Sequence, residues 1–179
     1  ISGVTIDSYS SDGLVKAKFN KLQFYVPASA TGLTEGTQFS EIAFSVYYSA
    51  SYGEVSIPYT LWIEEVDAES EFTNDDKTNF DLPDAASAIA TGSYTLKGGE
   101  SSKDVPEEFV IALDRQLTFT GKAYRFTMEM NLSSASYNFY AGIHKYDVNY
   151  GRFFGSNSAT GTYPGASLTK NIPVVSFRY

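Results

Sequence analysis

Ile42-Ala43-Phe44-Ser45-Val46-Tyr47-Tyr48 decides the fold class. Ile42, Phe44, Val46 and Tyr48 alternate with Ala43, Ser45 and Tyr47, so one face of the segment is apolar throughout. A period of two sends successive side chains to opposite faces of an extended chain. The segment therefore reads as a strand with one face against a core.

The same pattern recurs outward along the chain. Across Ala123 to Leu132, Tyr124, Phe126, Met128 and Met130 oppose Arg125, Thr127, Glu129 and Asn131. Phe109, Ile111 and Leu113 share a face, as do Val175, Phe177 and Tyr179. Tyr59 to Val66 is apolar on both faces at Tyr59, Leu61, Trp62 and Ile63, which predicts a central strand covered twice. Further strands are expected over Tyr137–Tyr146 and Gly92–Leu96. Between Val15 and Val26 the alternation slips: Val15, Ala17 and Phe19 have one parity, Leu22, Phe24 and Val26 the other. One bent strand with a β-bulge near Asn20-Lys21, burying both Phe19 and Leu22, would restore a common face.

Turn signals separate these runs at Pro27 to Gly36, Ser51-Tyr52-Gly53, Lys97-Gly98-Gly99, Thr120-Gly121-Lys122 and Asn149-Tyr150-Gly151. No stretch carries a sustained helical stripe; Glu69 to Asp76 could form a short turn capped by Thr73. The 14 tyrosines and 13 phenylalanines suit pleated, half-buried surfaces. The expectation is one all-β domain over residues 1–179, a two-sheet antiparallel β-sandwich of jelly-roll or immunoglobulin-like type.

Composition excludes several functions. The chain has no cysteine, which removes thiol catalysis, thiolate metal sites and disulfides. A net charge of −8 and a pI near 4.6 repel phosphate backbones and anionic lipid, so nucleic acid is not an expected partner. No apolar run is long enough to span a membrane. The chain starts at Ile1 rather than Met. That suggests a processed product, extracellular or at the cell surface, with a removed leader that could have carried a lipid anchor.

Three clusters are candidate sites. Glu64 to Asp84 holds nine of the chain's 21 acids, with Lys77 opposing them. Asp75 and Asp76, with Asn74 and Asn79, could offer oxygens to calcium from one loop, although the spacing is not that of an EF-hand. The plain alternative is a solvated acidic loop. A carboxylate pair for glycoside hydrolysis is undetermined: Glu64 and Glu65 are neighbours on one strand and point apart, and Glu129 and Glu107-Glu108 have no evident partner. His144, the single histidine, cannot build a multi-histidine zinc site and reads as a packed or surface residue among aromatics.

The third cluster is the aromatic-rich end of the chain, where Tyr137, Phe139, Tyr140, Tyr146, Tyr150, Phe153, Phe154 and Tyr163 are interleaved with Asn149, Arg152, Asn157 and Thr162. Sugars present apolar ring faces fringed by hydroxyls, and aromatic side chains with polar neighbours match both. Frequent glycine between Asp147 and Pro164 predicts an irregular crossing at the rim of the sandwich. The expected ligand-binding residues are Tyr146, Tyr150, Arg152, Phe153, Phe154, Asn157 and Tyr163, with Arg152 as polar anchor. No catalytic residue is assigned.

From Gln38 onward the strand pattern resembles exported β-sandwich modules of Bacteroides-type bacteria. The matching segments are Ser40-x-Ile42-x-Phe44-x-Val46, Tyr59-x-Leu61-x-Ile63, Leu117-x-Phe119-x-Gly121-Lys122-x-Tyr124, Arg152-Phe153 and Asn171-Ile172-Pro173-x-Val175-x-Phe177. The resemblance implies a lipoprotein or secreted surface module that accompanies carbohydrate capture or adhesion. The function expected is a non-catalytic module binding a glycan or another surface ligand. A structural or adhesin domain with a surface-protein partner is the alternative, and an accessory glycoside hydrolase the third reading.

Overall fold

The computed structural model describes residues 1–11, 14–15, 17–48, 54–78, 81–97, 102–133, 139–157 and 166–179. The strands are β1 (Ser8–Ser10), β2 (Phe19–Val26), β3 (Gln38–Tyr48), β4 (Val55–Val66), β5 (Ala90–Leu96), β6 (Glu107–Thr118), β7 (Ala123–Asn131), β8 (Phe139–Lys145), β9 (Gly151–Ser156), β10 (Ser167–Thr169), β11 (Asn171–Pro173) and β12 (Ser176–Arg178). The helical elements among the described residues are three short 3₁₀ turns.

Two antiparallel six-stranded sheets pack as a sandwich. Sheet I runs β1-β8-β3-β12, with β11 also on β8 and β6 on β3. Sheet II runs β10-β9-β2-β7-β4-β5. The alternation seen in the sequence is what binds them. Ile42, Phe44, Val46 and Tyr48 of β3 face Tyr124, Phe126, Met128 and Met130 of β7 in one core, each essentially without solvent contact. Each such aliphatic or aromatic side chain contributes roughly 1.5–3 kcal/mol by leaving water. Phe177 of β12 meets Phe39, Tyr124 and Phe126, joining the sheets through edge-to-face and tilted rings.

β3 and β8 pair only at Val46–Tyr48 and Phe139–Ala141, then part. The segment from Asn171 to Arg178 fills the gap: β11 pairs with β8 and β12 with β3. The backbone of Ile1 exchanges hydrogen bonds with Phe177, so the first residue lies against the closing strand. Tyr179 was expected to share the buried face of Val175 and Phe177; instead it is exposed, beyond the last pairing residue Arg178.

Two local expectations are corrected. Val15 to Val26 is not one bulged strand. β2 begins at Phe19, and Leu14 and Val15 are buried outside it. The break belongs to Asn20, whose side chain is fully buried. Its Oδ1 accepts from the Ala17 N–H at 2.9 Å, and its amide donates to the carbonyls of Ala17 at 2.7 Å and Met130 at 3.0 Å. Asn20, Leu22, Phe24 and Val26 share the core face, and Phe19 lies half-buried on the other. A register irregularity does occur, but between β3 and β6, around Phe39 and Glu41. There Asp114 N–H reaches the Ile89 carbonyl at 2.8 Å, tying sheet I to the start of β5.

Residues 147–164 are not an irregular crossing throughout. Gly151–Ser156 is a strand between β10 and β2. A Cβ on Gly151 would stand 2.8 Å from Thr169 Cγ2 and 2.9 Å from Ile172 Cδ1. Glycine there makes room for close packing and does not break the strand.

Candidate functional site

Each sheet has an outer face, and the two differ. On sheet II that face is roofed by residues 67–78 and 81–88, between β4 and β5. Phe72 lies 5.2 Å from the Tyr25 ring, and its own ring carries the Arg152 guanidinium at 4.9 Å. Leu82 packs on the fully buried Phe154 together with Phe19 and Ala166. Trp62 is buried from the same side, and its indole N–H donates to the Asp84 carbonyl at 3.0 Å. The second apolar face of Tyr59–Val66 thus meets this roof.

The acids of the roof are largely occupied. Asp67 pairs with Lys122 at 2.8 Å, which holds its carboxyl below the ordinary value. Glu64 takes two hydrogen bonds from Arg125. Glu69 accepts from the Tyr150 hydroxyl at 3.4 Å, and Asp84 from the Ala86 N–H at 3.0 Å. Asp76 accepts from the Thr73 N–H at 2.6 Å, closing the 3₁₀ turn Asn74–Lys77. The calcium expectation named Asp75 and Asp76. Among the described residues no group of three or more His, Cys, Asp or Glu side chains comes together as a metal site, and Asn79 lies outside those residues.

The residues expected to bind a ligand are dispersed by this arrangement. Phe153 faces the main core and Phe154 the opposite side of β9, both buried. Arg152 is already engaged: Nε and Nη2 donate to Gln23 Oε1 at 3.0 and 2.8 Å, and Nη1 to the Asp76 carbonyl at 3.2 Å. It anchors the roof to the sheet. Tyr146 and Tyr150 stack edge to face at 5.1 Å, and burial pushes the Tyr146 phenol up to about 12. Asn157 is exposed and accepts from the Lys18 N–H at 3.0 Å. Tyr163 lies outside the described residues.

The outer face of sheet I carries a different group. Tyr47 and Tyr140 are cross-strand partners on β3 and β8, with rings 4.7 Å apart and 12° from parallel. Tyr9, on β1 opposite Gly142, extends across β8 and meets Ser45 Oγ on β3 at 2.8 Å. Its ring lies 5.2 Å from Tyr47, edge on. Gly142 makes room for Ile6 beside it: a Cβ there would stand 2.7 Å from Ile6 Cδ1. All three tyrosines are half-buried, with part of each ring in solvent.

Beside them opens a hollow of about 440 Å³. Ile6, Asp7, Tyr9 and Tyr47 line it, with Lys103 and Asp104 from the turn that the Ser102–Val105 bridge closes. Its volume lies within the range of roughly 300–1,000 Å³ common to small-ligand sites. Asp7 is fixed there, accepting from the Lys145 N–H at 2.8 Å and lying 3.0 Å from His144 Nδ1. Partial burial, with Tyr140 and Tyr9 nearby, raises the Tyr47 phenol above its ordinary value.

The sequence reading placed Tyr140 in its aromatic cluster but not among the expected ligand-binding residues, and it did not single out Tyr9 or Tyr47. The available signal was parity: Tyr47 stands on the polar side of the clearest strand, where no core explains an aromatic ring. Comparisons with protein families, curated proteins and solved structures return no match. A functional reading therefore rests on this chain's own residues.

Proposed function

We propose that this chain is a non-catalytic module, secreted or displayed at a cell surface, that binds carbohydrate at the tyrosine-lined hollow of sheet I. The observation that carries the reading is the Tyr9–Tyr47–Tyr140 cluster on an open outer face, beside a hollow whose rim supplies Asp7, Lys103 and Asp104. Pyranose rings bury their apolar faces on aromatics, while fixed carboxylates and an ammonium meet their hydroxyls. Strands hold the three rings, so little ordering is lost on binding. The surface location draws on the resemblance of the strand pattern to exported bacterial modules.

A glycan array followed by calorimetry on the best ligand tests the reading. Tyr47→Ala is expected to weaken binding by about 1 kcal/mol or more, with the β-sheet circular dichroism unchanged. If no glycan binds, or if Tyr47→Ala and Tyr140→Ala bind as wild type does, the carbohydrate reading fails. A structural or adhesin role then takes its place.

A further inference from the structure

The side chains that oxidants ordinarily attack first are withheld from solvent in this protein. There is no cysteine, Met128 and Met130 are fully buried, and Trp62, the single tryptophan, is 4% exposed. A one-electron oxidant arriving from solvent therefore meets tyrosine. On the outer face of sheet I it meets two tyrosines in register. Tyr47 and Tyr140 are directly opposed across β3 and β8, nearly parallel at 4.7 Å, and partly open to solvent.

We infer that Tyr47 and Tyr140 form a built-in site of oxidative cross-linking, at which a peroxidase-type oxidant joins β3 to β8 through a dityrosine bond. Each phenol gives up one electron and one proton to become a phenoxyl radical. The two radicals couple through their ortho carbons, and each ring regains aromaticity as the ortho hydrogen moves to oxygen. The pair thus loses two electrons and two protons, which together reduce one hydrogen peroxide to two waters. Burial raises the Tyr47 phenol above its ordinary value, so at neutral pH it is protonated and its oxidation releases a proton as well as an electron.

Other tyrosine contacts are less apt for coupling. Tyr9 meets Tyr47 edge on at 60°, with its hydroxyl on Ser45, and Tyr146 meets Tyr150 at 62°, with Tyr146 packed against the main core. The bond would also act where pairing is short, because β3 and β8 share a ladder of three residue pairs before they part. A cross-link between residues far apart in sequence restricts the unfolded chain and raises Tm by several degrees.

The test treats dilute protein with a peroxidase and hydrogen peroxide, then reads dityrosine fluorescence, intact mass and a peptide map. The expected monomeric product is lighter by two hydrogens, with Tyr47 and Tyr140 in one cross-linked peptide pair and a raised Tm. Tyr47→Phe and Tyr140→Phe keep the ring volume and are expected to drop the monomer's fluorescence to background, while Tyr9→Phe leaves it unchanged. A map that places the bond at any other pair, or product found only between molecules, overturns the inference. So does undiminished monomer signal in either Phe variant. None of these outcomes bears on glycan binding, which is measured on the unoxidised protein.

Discussion

The outer faces of the two sheets are built from the same kind of sequence and end in opposite conditions. Each alternates with the core and carries aromatics among polar residues. On sheet II, Tyr25, Trp62 and Phe154 are sealed beneath residues 67–78 and 81–88. On sheet I, Tyr9, Tyr47 and Tyr140 stay partly open to solvent beside a hollow. An aromatic on the polar parity of a strand is therefore not by itself a binding residue. What decides is whether a distant part of the chain lies over it, and that is a property of topology, not of the strand.

The largest effect expected from this contrast is at Trp62. Trp62→Ala removes a buried indole and the hydrogen bond to Asp84, and should cost about 3–5 kcal/mol in denaturant unfolding. A loss below about 1 kcal/mol would mean that the roof is not packed.

Arg152→Ala comes next. It strips Gln23 Oε1 of two charged donors and releases the Asp76 carbonyl, for an expected loss of about 2–3 kcal/mol with glycan affinity unchanged. A stable Arg152→Ala variant that no longer binds would move the ligand site back to β9.

A smaller, pH-dependent effect is expected at Glu129. Burial raises its carboxyl above the ordinary value, with Lys21 opposing. The folded chain then holds a proton that the unfolded chain has released, so stability falls as pH rises from the ordinary value through the raised one. Glu129→Gln should flatten that slope and be more stable than wild type at neutral pH. An unaltered pH profile would place Glu129 in solvent.

The smallest effect concerns calcium. With Asp76 closing its own turn, Tm is expected to be the same in chelator and in excess calcium. A rise with calcium would restore a site in the roof.

The sandwich was legible because alternation is local: β3, β6, β7 and the Val175–Phe177 core contacts all show in a few residues of sequence. Its failures have long-range causes. The start of β2 depends on Asn20 bonding to Met130, a partner far along the chain. The glycines of β9 read as breakers because the side chains they accommodate, Thr169 and Ile172, come from other strands. The acid-rich roof reads as solvated because carboxylates dominate its composition, although Phe72 and Leu82 were apolar markers of a packed underside. The Thr73 cap was visible, since it needs only neighbours. Of the candidate site, Tyr140 and Tyr47 were in plain view, but their meeting required the pairing of β3 with β8.

The wedge formed by Asn171–Arg178 has a consequence in time. A ribosome delivers these residues after every strand they join, so β3 and β8 emerge with their seam unfilled and the pocket for Phe177 vacant. Until that delivery, Phe39, Tyr124 and Phe126 lack a neighbour in the core, and the nascent chain holds unpaired strand edges. Completion of the sandwich is thereby deferred until residues 171–178 have been made, and before that the unfinished chain is a client for whatever in the cell shields open sheets.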